Sequence, residues 1–386
     1  MISSLTQNSY KYLQIKNKFI NRNYGIDLLR IVSMINILNL HLNLFSGQLH
    51  LSFTSSKYFN IWRLEVFSFW AVDGFGLISG IVGYKRYKFS NLIYLWFQAW
   101  FYSTFISLYL FFIKKKYNIN LILSLLPLLN GKQWYVNAYF SMYLLLPFIN
   151  YGINLLNRKV YRNLIIFFFF FFSFYDLIGN ILGRGNVNFL IHGYSSIWLT
   201  LLYIIGAYFG KYIIIGKNKN DIKKNIFYIL IYIIFSFLSS EIYFKLIKIK
   251  SKVPNKLLIS YISPTMVIQA ISLIMFFSKL NINFKWNIKI ISFLTPLTFS
   301  VQLIHLPLFQ SKIKIIVILF EYVKLLKRNL IFFKIYGLSI LLYFIFVTID
   351  YFRLLIFKLF KIREICLLIE KKSPLLFDKF LDYLNI

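Results

Sequence analysis

Long apolar runs separated by short polar segments dominate this chain. A helix needs roughly 20 mostly apolar residues to cross a bilayer, and ten windows of about that length meet this condition. The pattern therefore predicts an all-α, polytopic integral membrane protein with about ten transmembrane helices. The windows lie near residues 26–46, 64–84, 91–113, 133–156, 163–183, 197–216, 226–246, 257–278, 290–311 and 330–350.

The remaining segments suggest a simple domain organisation. Residues 1–25 have no apolar core segment, so they are predicted to be an N-terminal segment and no cleavable signal peptide. Residues 26–360 form the transmembrane domain, and residues 361–386 form a tail that mixes Lys with Ile and Leu as an amphipathic interfacial helix does. Residues 312–329 show the same mixture.

Composition supports this class and excludes others. Hydrophobic residues make up 59% of the 386 residues and charged residues 15%, whereas a soluble domain carries roughly 25% charged residues. The only cysteine, Cys366, excludes a disulfide scaffold and a thiolate zinc site. The four histidines are dispersed without paired spacing, so no metal is predicted.

The formal net charge of +32 could indicate nucleic acid or an anionic membrane face. The basic residues fall in short clusters between apolar runs, which is typical of loops between membrane helices, so no nucleic-acid partner is predicted. Ten spans place both termini on one side. That side carries 25 Lys and Arg residues against 18 on the other, which weakly favours cytoplasmic termini.

Two ionisable side chains lie inside the first window, Arg30 and His41. Placing an ionisable side chain inside a bilayer costs free energy, so its presence there indicates a functional role by default. They are eleven residues apart, about three helical turns, so both side chains lie on one face of the helix. Along the helix axis they are about 16 Å apart. A lone buried His is more often structural, but a cation on the same face favours catalysis.

The second window carries Glu65 and Asp73. Because this helix runs antiparallel to the first, either carboxylate could orient His41 or raise its basicity, and both are candidate catalytic residues. The alternative for Asp73 is an ion pair with Arg30 or a hydrogen bond between helices.

The basic cluster of Lys85, Arg86 and Lys88 follows the second window. Such a cluster is usually a positive-inside anchor. It could also bind the phosphates of a cytosolic anionic cofactor, so these three residues and Arg30 are the candidate cofactor-binding residues.

An aromatic segment opens the fourth window and contains Trp134, Tyr135, Asn137 and Tyr139. Aromatic residues here fit an interfacial belt. They also fit a platform for a sugar, since aromatic faces stack on sugar rings. With His305 in the ninth window, these four are the candidate substrate-binding residues.

An ordered set of motifs runs through residues 24–360. In order and spacing they resemble the membrane acyltransferase family 3 proteins, whose first helix carries an Arg, ten residues and a His. The motifs are residues 25–30 with His41, residues 75–80 with the basic cluster that follows, residues 134–139 with 146–150, residues 263–265, and residues 293–300 with 303–305.

The resemblance implies a ten-helix O-acetyltransferase of the bacterial inner membrane. It implies transfer of an acetyl group from cytosolic acetyl-CoA to a sugar hydroxyl of a surface polysaccharide or its lipid-linked precursor, with His41 as the catalytic histidine and Arg30 as its motif partner. The basic cluster stands where the family often has several arginines, and Gln302 stands where a Tyr is common.

Two other interpretations stay open at the level of sequence. The buried charges could line a sugar or proton pathway in a polysaccharide transporter or polymerase that uses no acyl-CoA. The chain could also be an inactive relative with a structural role. Clustering of the polar residues in the first two helices and their loop favours the enzyme over a transporter built from inverted halves.

Overall fold

The computed structural model describes residues 22–85, 87–114, 121–129, 133–184, 190–214, 222–251 and 253–383. Within these ranges the chain forms helices and no strands. The helices are α1 Tyr24–Phe45, α2 Tyr58–Phe69, α3 Ala71–Gly83, α4 Phe89–Lys114, α5 Leu121–Leu125, α6 Trp134–Leu155, α7 Arg158–Phe169, α8 Tyr175–Ile181, α9 Ser196–Tyr208, α10 Ile222–Lys248, α11 Pro264–Ser278, α12 Lys285–Ser311, α13 Lys314–Leu325, α14 Ile331–Leu359 and α15 Ile362–Tyr383.

The predicted fold class is confirmed, because helices occupy all ten predicted windows and this is an all-α polytopic membrane protein. In the described part of the chain, eight helical segments are long and apolar enough to cross a membrane. The other two windows hold α6 and α11, and α11 is only 15 residues long. The eight segments are Tyr24–Phe45, Tyr58–Gly83, Phe89–Ile113, Arg158–Ile181, Ser196–Ile214, Ile222–Lys248, Lys285–Ser311 and Ile331–Leu359.

Helix α1 lies at the centre of the bundle and packs against α2, α3, α11, α12 and α14. Its start is fixed by Asn23, whose side-chain oxygen accepts from the N–H groups of Gly25 and Ile26. The amide of Asn23 also donates to the Ser278 carbonyl at 2.8 Å, which ties this end of α1 to the end of α11. We call the end of the bundle that carries Asn23 the inner face, and the end that carries Phe45 the outer face.

Glycines let α3 and α9 approach closely. A Cβ on Gly80 would lie 2.0 Å from the Tyr203 carbonyl oxygen, and a Cβ on Gly206 would lie 2.0 Å from the Leu77 carbonyl oxygen. Each helix therefore uses a glycine where it meets the backbone of the other, the arrangement typical of membrane helix pairs. This contact fixes α3, which carries Asp73, beside α9.

The tail after residue 360 is helical, as α15. Its Arg363 donates to the Asn91 side-chain oxygen at 2.7 Å and to the Ser90 carbonyl at 3.5 Å, at the start of α4. The helix therefore lies against the inner end of α4. Helix α13 lies at the opposite end, where Gln48 donates to the Val323 carbonyl and the rings of Phe45 and Phe320 stack.

Candidate functional site

Two histidines from distant parts of the chain meet inside the bundle. His41 lies in the outer half of α1, and His305 lies in the outer half of α12. Their ring nitrogens, Nδ1 of His41 and Nε2 of His305, are 2.7 Å apart, and the ring centroids are 4.9 Å apart. His305 is completely buried, whereas His41 is half-buried and borders two cavities.

The hydrogen bonds assign the tautomer of each ring. Nδ1 of His305 lies 2.7 Å from the Val301 carbonyl oxygen, which can only accept, so this nitrogen carries the hydrogen. In the neutral ring Nε2 of His305 is then an acceptor, and Nδ1 of His41 donates to it. The remaining nitrogen of His41, Nε2, therefore carries a lone pair, and it has no hydrogen-bond partner among the described residues.

A proline in α12 helps to shape this region. Pro307 has no N–H group, so the Leu303 carbonyl one turn earlier loses its helical hydrogen bond. The side chain of Gln133 donates to that carbonyl at 3.5 Å. The segment that opens α6 is thereby joined to the helix that carries His305.

The outer cavity, with a volume of about 780 Å³, extends from His41 towards the outer face. The aromatic side chains of Trp134, Tyr194 and Tyr261 form one part of its wall, with ring centroids 4.7 to 6.1 Å apart. Burial raises the pKa of Tyr194 and of Tyr261, so both hydroxyls stay protonated and can donate. An aromatic wall with hydroxyl groups suits a sugar.

Polar side chains also line the outer cavity, beside apolar ones. Asp176 is 3% exposed, and its Oδ1 has no partner among the described residues, while Oδ2 accepts from Asn180 at 2.7 Å. It follows the π-helical turn Phe170–Phe174, a distortion that often marks functional sites. Asp176 was not predicted, although it is an ionisable residue inside the window 163–183 and the criterion that selected Arg30 and His41 applies to it equally.

An inner cavity of about 440 Å³ lies on the other side of His41 and contains Arg30. The guanidinium of Arg30 forms no ion pair or hydrogen bond with a described residue. Four tyrosines line the same cavity, namely Tyr94, Tyr135, Tyr139 and Tyr143.

Between the two cavities lies a space of about 20 Å³, here called the junction. This volume is large enough for about one water molecule. His41 and Trp134 line both the junction and the outer cavity, while Tyr135 lines both the junction and the inner cavity. Gln302 also lines the junction. The three spaces therefore follow one another, with His41 at the narrowest point.

The two acidic candidates do not contact His41. Glu65 accepts a hydrogen bond from Asn43 at 3.1 Å, and it lines the outer cavity. Asp73 accepts from the Trp198 ring N–H at 3.1 Å. The sequence had suggested that one of these carboxylates orients the imidazole, but neither does. The side chain that contacts Nδ1 of His41 is His305. The alternative ion pair between Asp73 and Arg30 is not formed either.

The basic cluster lies at the inner end of α3. The ammonium of Lys85 lies 5.6 Å from the Tyr84 ring centroid, and the Lys88 carbonyl accepts from the Tyr143 hydroxyl at 3.0 Å. Arg86 lies outside the described residues. Lys85 and Lys88 line none of the cavities described here, so their role in binding a cofactor stays a prediction.

The aromatic segment of α6 is divided between the spaces. Trp134 faces the outer cavity, whereas Tyr139 faces the inner cavity. The Tyr135 hydroxyl is buried without a partner among the described residues. Asn137 donates to the Leu128 carbonyl at 2.9 Å and lines no cavity described here. His305 lines none either, so its geometry is that of a partner of His41 and not of a substrate contact.

A buried ion pair was not predicted. Arg353 is 2% exposed and donates to both carboxylate oxygens of Asp350, at 2.7 and 2.9 Å. The Tyr94 hydroxyl accepts from Arg353, and the Tyr102 hydroxyl donates to Asp350. Arg353 lies beyond the predicted end of its window at residue 350, but it is inside a helix because α14 continues to Leu359.

Among the residues that the structure describes, no group of three or more His, Cys, Asp or Glu side chains could hold a metal ion. The pair of His41 and His305 is joined by a hydrogen bond instead. A neutral imidazole whose Nε2 has no partner among the described residues can accept a proton, and His41 offers such a nitrogen between two cavities.

Comparison with known proteins bears on the chemistry of this site. Comparisons with curated proteins and with solved structures gave no match. The model of one protein family, described as an acyltransferase domain, matches residues 23–350, which include every helix that lines the junction. The chain therefore belongs to acyltransferase family 3.

Proposed function

We propose that the protein is an O-acyltransferase that moves an acyl group, acetyl in the first instance, from cytosolic acyl-CoA to a sugar hydroxyl of a surface polysaccharide or its lipid-linked precursor. One observation carries the proposal. His41, held by His305, lies at the junction between a cavity that contains a cation and a cavity with an aromatic, polar wall. Family membership supports acyl transfer over a transporter or a polymerase.

The neutral His41 supplies the base. The acceptor hydroxyl gives its proton to Nε2 of His41, and its oxygen attacks the carbonyl carbon of the thioester. The carbon–sulfur bond then breaks, and the proton passes from His41 to the CoA thiolate. The products are an O-acyl ester and free CoA thiol, and His41 returns to its starting state. In the alternative route Nε2 attacks the thioester, the carbon–sulfur bond breaks and the CoA thiolate leaves; the acceptor hydroxyl then takes the acyl group from Nε2, and its proton passes to the thiolate.

His305 acts as a positioning residue in this scheme. Its hydrogen bond fixes the hydrogen of His41 on Nδ1 and directs the lone pair of Nε2 away from α12. The Val301 carbonyl in turn fixes His305. Because Val301 and His305 belong to one helical turn, the orientation is set by a rigid element.

The junction supplies a donor for the negative charge that develops on the thioester oxygen. Tyr135 is 7% exposed and borders the junction. Its hydroxyl has no partner among the described residues. A hydrogen-bond donor already in place at the oxyanion lowers the barrier because no water has to reorganise. The small volume of the junction supports a short acyl group, such as acetyl, over a long chain.

The two cavities assign the two substrates. Acyl-CoA enters from the inner face, where Arg30 lies and where both termini are proposed to be cytoplasmic, in the inner membrane of a bacterium. The acceptor enters from the outer face, where Trp134 and Tyr261 offer ring surfaces and Asp176 offers a free carboxylate oxygen. Transfer through the junction then spans part of the membrane.

The test is acyl transfer by the purified protein in liposomes. The protein receives acetyl-labelled CoA on its inner face and isolated cell-surface glycan on the other, and ester-bound label on the glycan is measured. We expect label that dilute alkali removes and that appears only when both substrates are present. Movement or growth of the glycan without incorporated label would support the transporter or polymerase instead.

A further inference from the structure

A fourth cavity, here called the mouth, opens at the inner face. It has a volume of about 550 Å³ and is lined by residues at the start of α4, the end of α14 and the start of α15. Asn91 and Tyr94 line both the mouth and the inner cavity. The mouth therefore continues the series of spaces that leads past Arg30 to His41.

The wall of the mouth carries two cations, Lys358 and Arg363, and one carboxylate, Glu364. Arg363 uses two of its five N–H groups, for the Asn91 side chain and the Ser90 carbonyl. Its other three N–H groups have no partner among the described residues and can bind a ligand. Lys358 forms no ion pair with a described residue, so its ammonium is also available.

Other cations near the inner face are less suited to a ligand. The guanidinium of Arg353 is occupied by Asp350, by the Tyr94 hydroxyl and by Ser300. Lys85 lies over the Tyr84 ring and lines no cavity described here. Among the described residues that line the mouth and the inner cavity, the cations without a carboxylate partner are therefore Arg363 and Lys358 in the mouth and Arg30 in the inner cavity.

Tyr94 holds the position of Arg363. The carbon centre of the Arg363 guanidinium lies 5.5 Å from the Tyr94 ring centroid, and that of Arg353 lies 6.0 Å from it. The hydroxyl of the same tyrosine accepts from Arg353 at 2.9 Å. A guanidinium stacked on a fixed ring loses little freedom when it binds an anion, and its planar fork suits a phosphate.

We infer that Arg363 and Lys358 form a phosphate-binding site that holds the nucleotide end of the thioester donor at the mouth, with the acyl end extending past Arg30 to the junction. The inference rests on the proposed transferase function and adds to it the C-terminal helix α15 as a part of the donor site. The distance from Arg30 to His41, about 16 Å along α1, is of the order of an extended pantetheine arm.

The first experiment measures binding without catalysis. Isothermal titration of the purified full-length protein with CoA is compared between the wild type, Arg363→Gln, Lys358→Gln and Lys371→Gln. Lys371 is the matched control, because it is an exposed cation of α15 that does not line the mouth. We expect the Kd for CoA to rise about tenfold in the first two variants, as the loss of a charge-assisted hydrogen bond implies, and to stay unchanged in Lys371→Gln.

The second experiment separates phosphate binding from a structural role of Arg363. Transfer is measured with acetyl-CoA and with S-acetylpantetheine, which lacks the nucleotide and its phosphates. We expect Arg363→Gln and Lys358→Gln to raise the KM for acetyl-CoA about tenfold while the KM for S-acetylpantetheine stays unchanged. Equal losses with both donors would mean that α15 only stabilises the fold, and the inference would be wrong.

The two proposals fail in different ways. An unchanged Kd for CoA in Arg363→Gln and in Lys358→Gln overturns the phosphate site, whatever the transfer assay shows. CoA binding that depends on Arg363 and Lys358, in a wild-type protein that transfers no acyl group, supports the phosphate site and contradicts the proposed function instead.

Discussion

Nδ1 of His41 lies 2.7 Å from Nε2 of His305, although the two residues are 264 positions apart in the chain. The contact joins the central helix α1 to α12 and leaves Nε2 of His41 as the free nitrogen. The Val301 carbonyl completes the series, since it holds the far nitrogen of His305 at 2.7 Å. The imidazole of His41 in one helix is thus held by a second helix.

The first prediction concerns His305. His305→Leu removes the acceptor for Nδ1–H of His41, so the imidazole can turn or change tautomer. We expect kcat to fall by about 10² to 10⁴, with little change in the KM for either substrate. The measurement is steady-state transfer of acetyl from acetyl-CoA, with pH profiles of kcat for the wild type and the variant.

His305→Gln is the conservative partner of that variant. The Gln side-chain oxygen can accept from Nδ1–H of His41 near the place that the ring nitrogen occupied. We expect its kcat to lie between those of the wild type and His305→Leu. Equal kcat values and equal pH profiles for the wild type and His305→Leu would show that the contact has no part in positioning the base.

The second prediction concerns Arg30, whose guanidinium has no partner among the described residues. Arg30→Gln removes a cation from the inner cavity without leaving a carboxylate unpaired. We expect the KM to rise at least about tenfold for acetyl-CoA and S-acetylpantetheine alike, since both reach past Arg30. Thermal unfolding in detergent should show no loss of stability. A variant that unfolds earlier but transfers normally would assign Arg30 to the fold.

The third prediction concerns the buried pair of Arg353 and Asp350. Arg353→Met leaves a buried carboxylate without its cation, which costs about 3 to 5 kcal/mol in the free energy of unfolding. Replacing both residues, Arg353→Met with Asp350→Leu, should recover most of that loss. Chemical unfolding of the purified variants measures both effects.

A surface ion pair provides the control for Arg353. Arg63 and Glu241 are 2.7 Å apart, but both side chains are exposed. Arg63→Met should cost at most about 1 kcal/mol, because solvent screens an exposed pair. If Arg353→Met costs no more than Arg63→Met, the buried network does not stabilise the protein.

The fourth prediction tests the contact between α3 and α9. A Cβ at position 80 would lie 2.0 Å from the Tyr203 carbonyl oxygen, so Gly80→Ala must separate the two helices. We expect a loss of about 1 to 3 kcal/mol in unfolding free energy. Gly337→Ala is the matched control, since a Cβ there meets nothing within 4 Å. It should be neutral or stabilising, and equal effects of the two substitutions would contradict the packing.

Much of the fold was predictable because each span needs its own run of apolar residues. The starts and ends were less predictable. The span that begins at Tyr58 starts six residues before its predicted window, since its first turns mix polar and aromatic residues. Helix α11 begins seven residues after its window does, at Pro264. The preference of Pro for the first turn of a helix could have located that start.

The candidate site was predictable only in part. Arg30 and His41 stood out because each is an ionisable residue in an apolar helix. The contact between His41 and His305 could not be read from spacing, since it depends on how two distant helices pack. Arg353 was not singled out because the apolar window ended at residue 350, three residues before it. The spacing of Asp350 and Arg353, three residues apart in one helix, was a signal for an ion pair.

Loss of the His41 imidazole is the sharpest test of its role as the base at the junction of two cavities. Transfer of labelled acetyl from acetyl-CoA to isolated glycan is measured for the wild type and for His41→Ala, with CoA binding and thermal unfolding as controls for folding. We expect His41→Ala to bind CoA and to unfold as the wild type does, but to transfer acetyl at least about 10³-fold more slowly. Transfer by folded His41→Ala at the wild-type rate would contradict this role of His41.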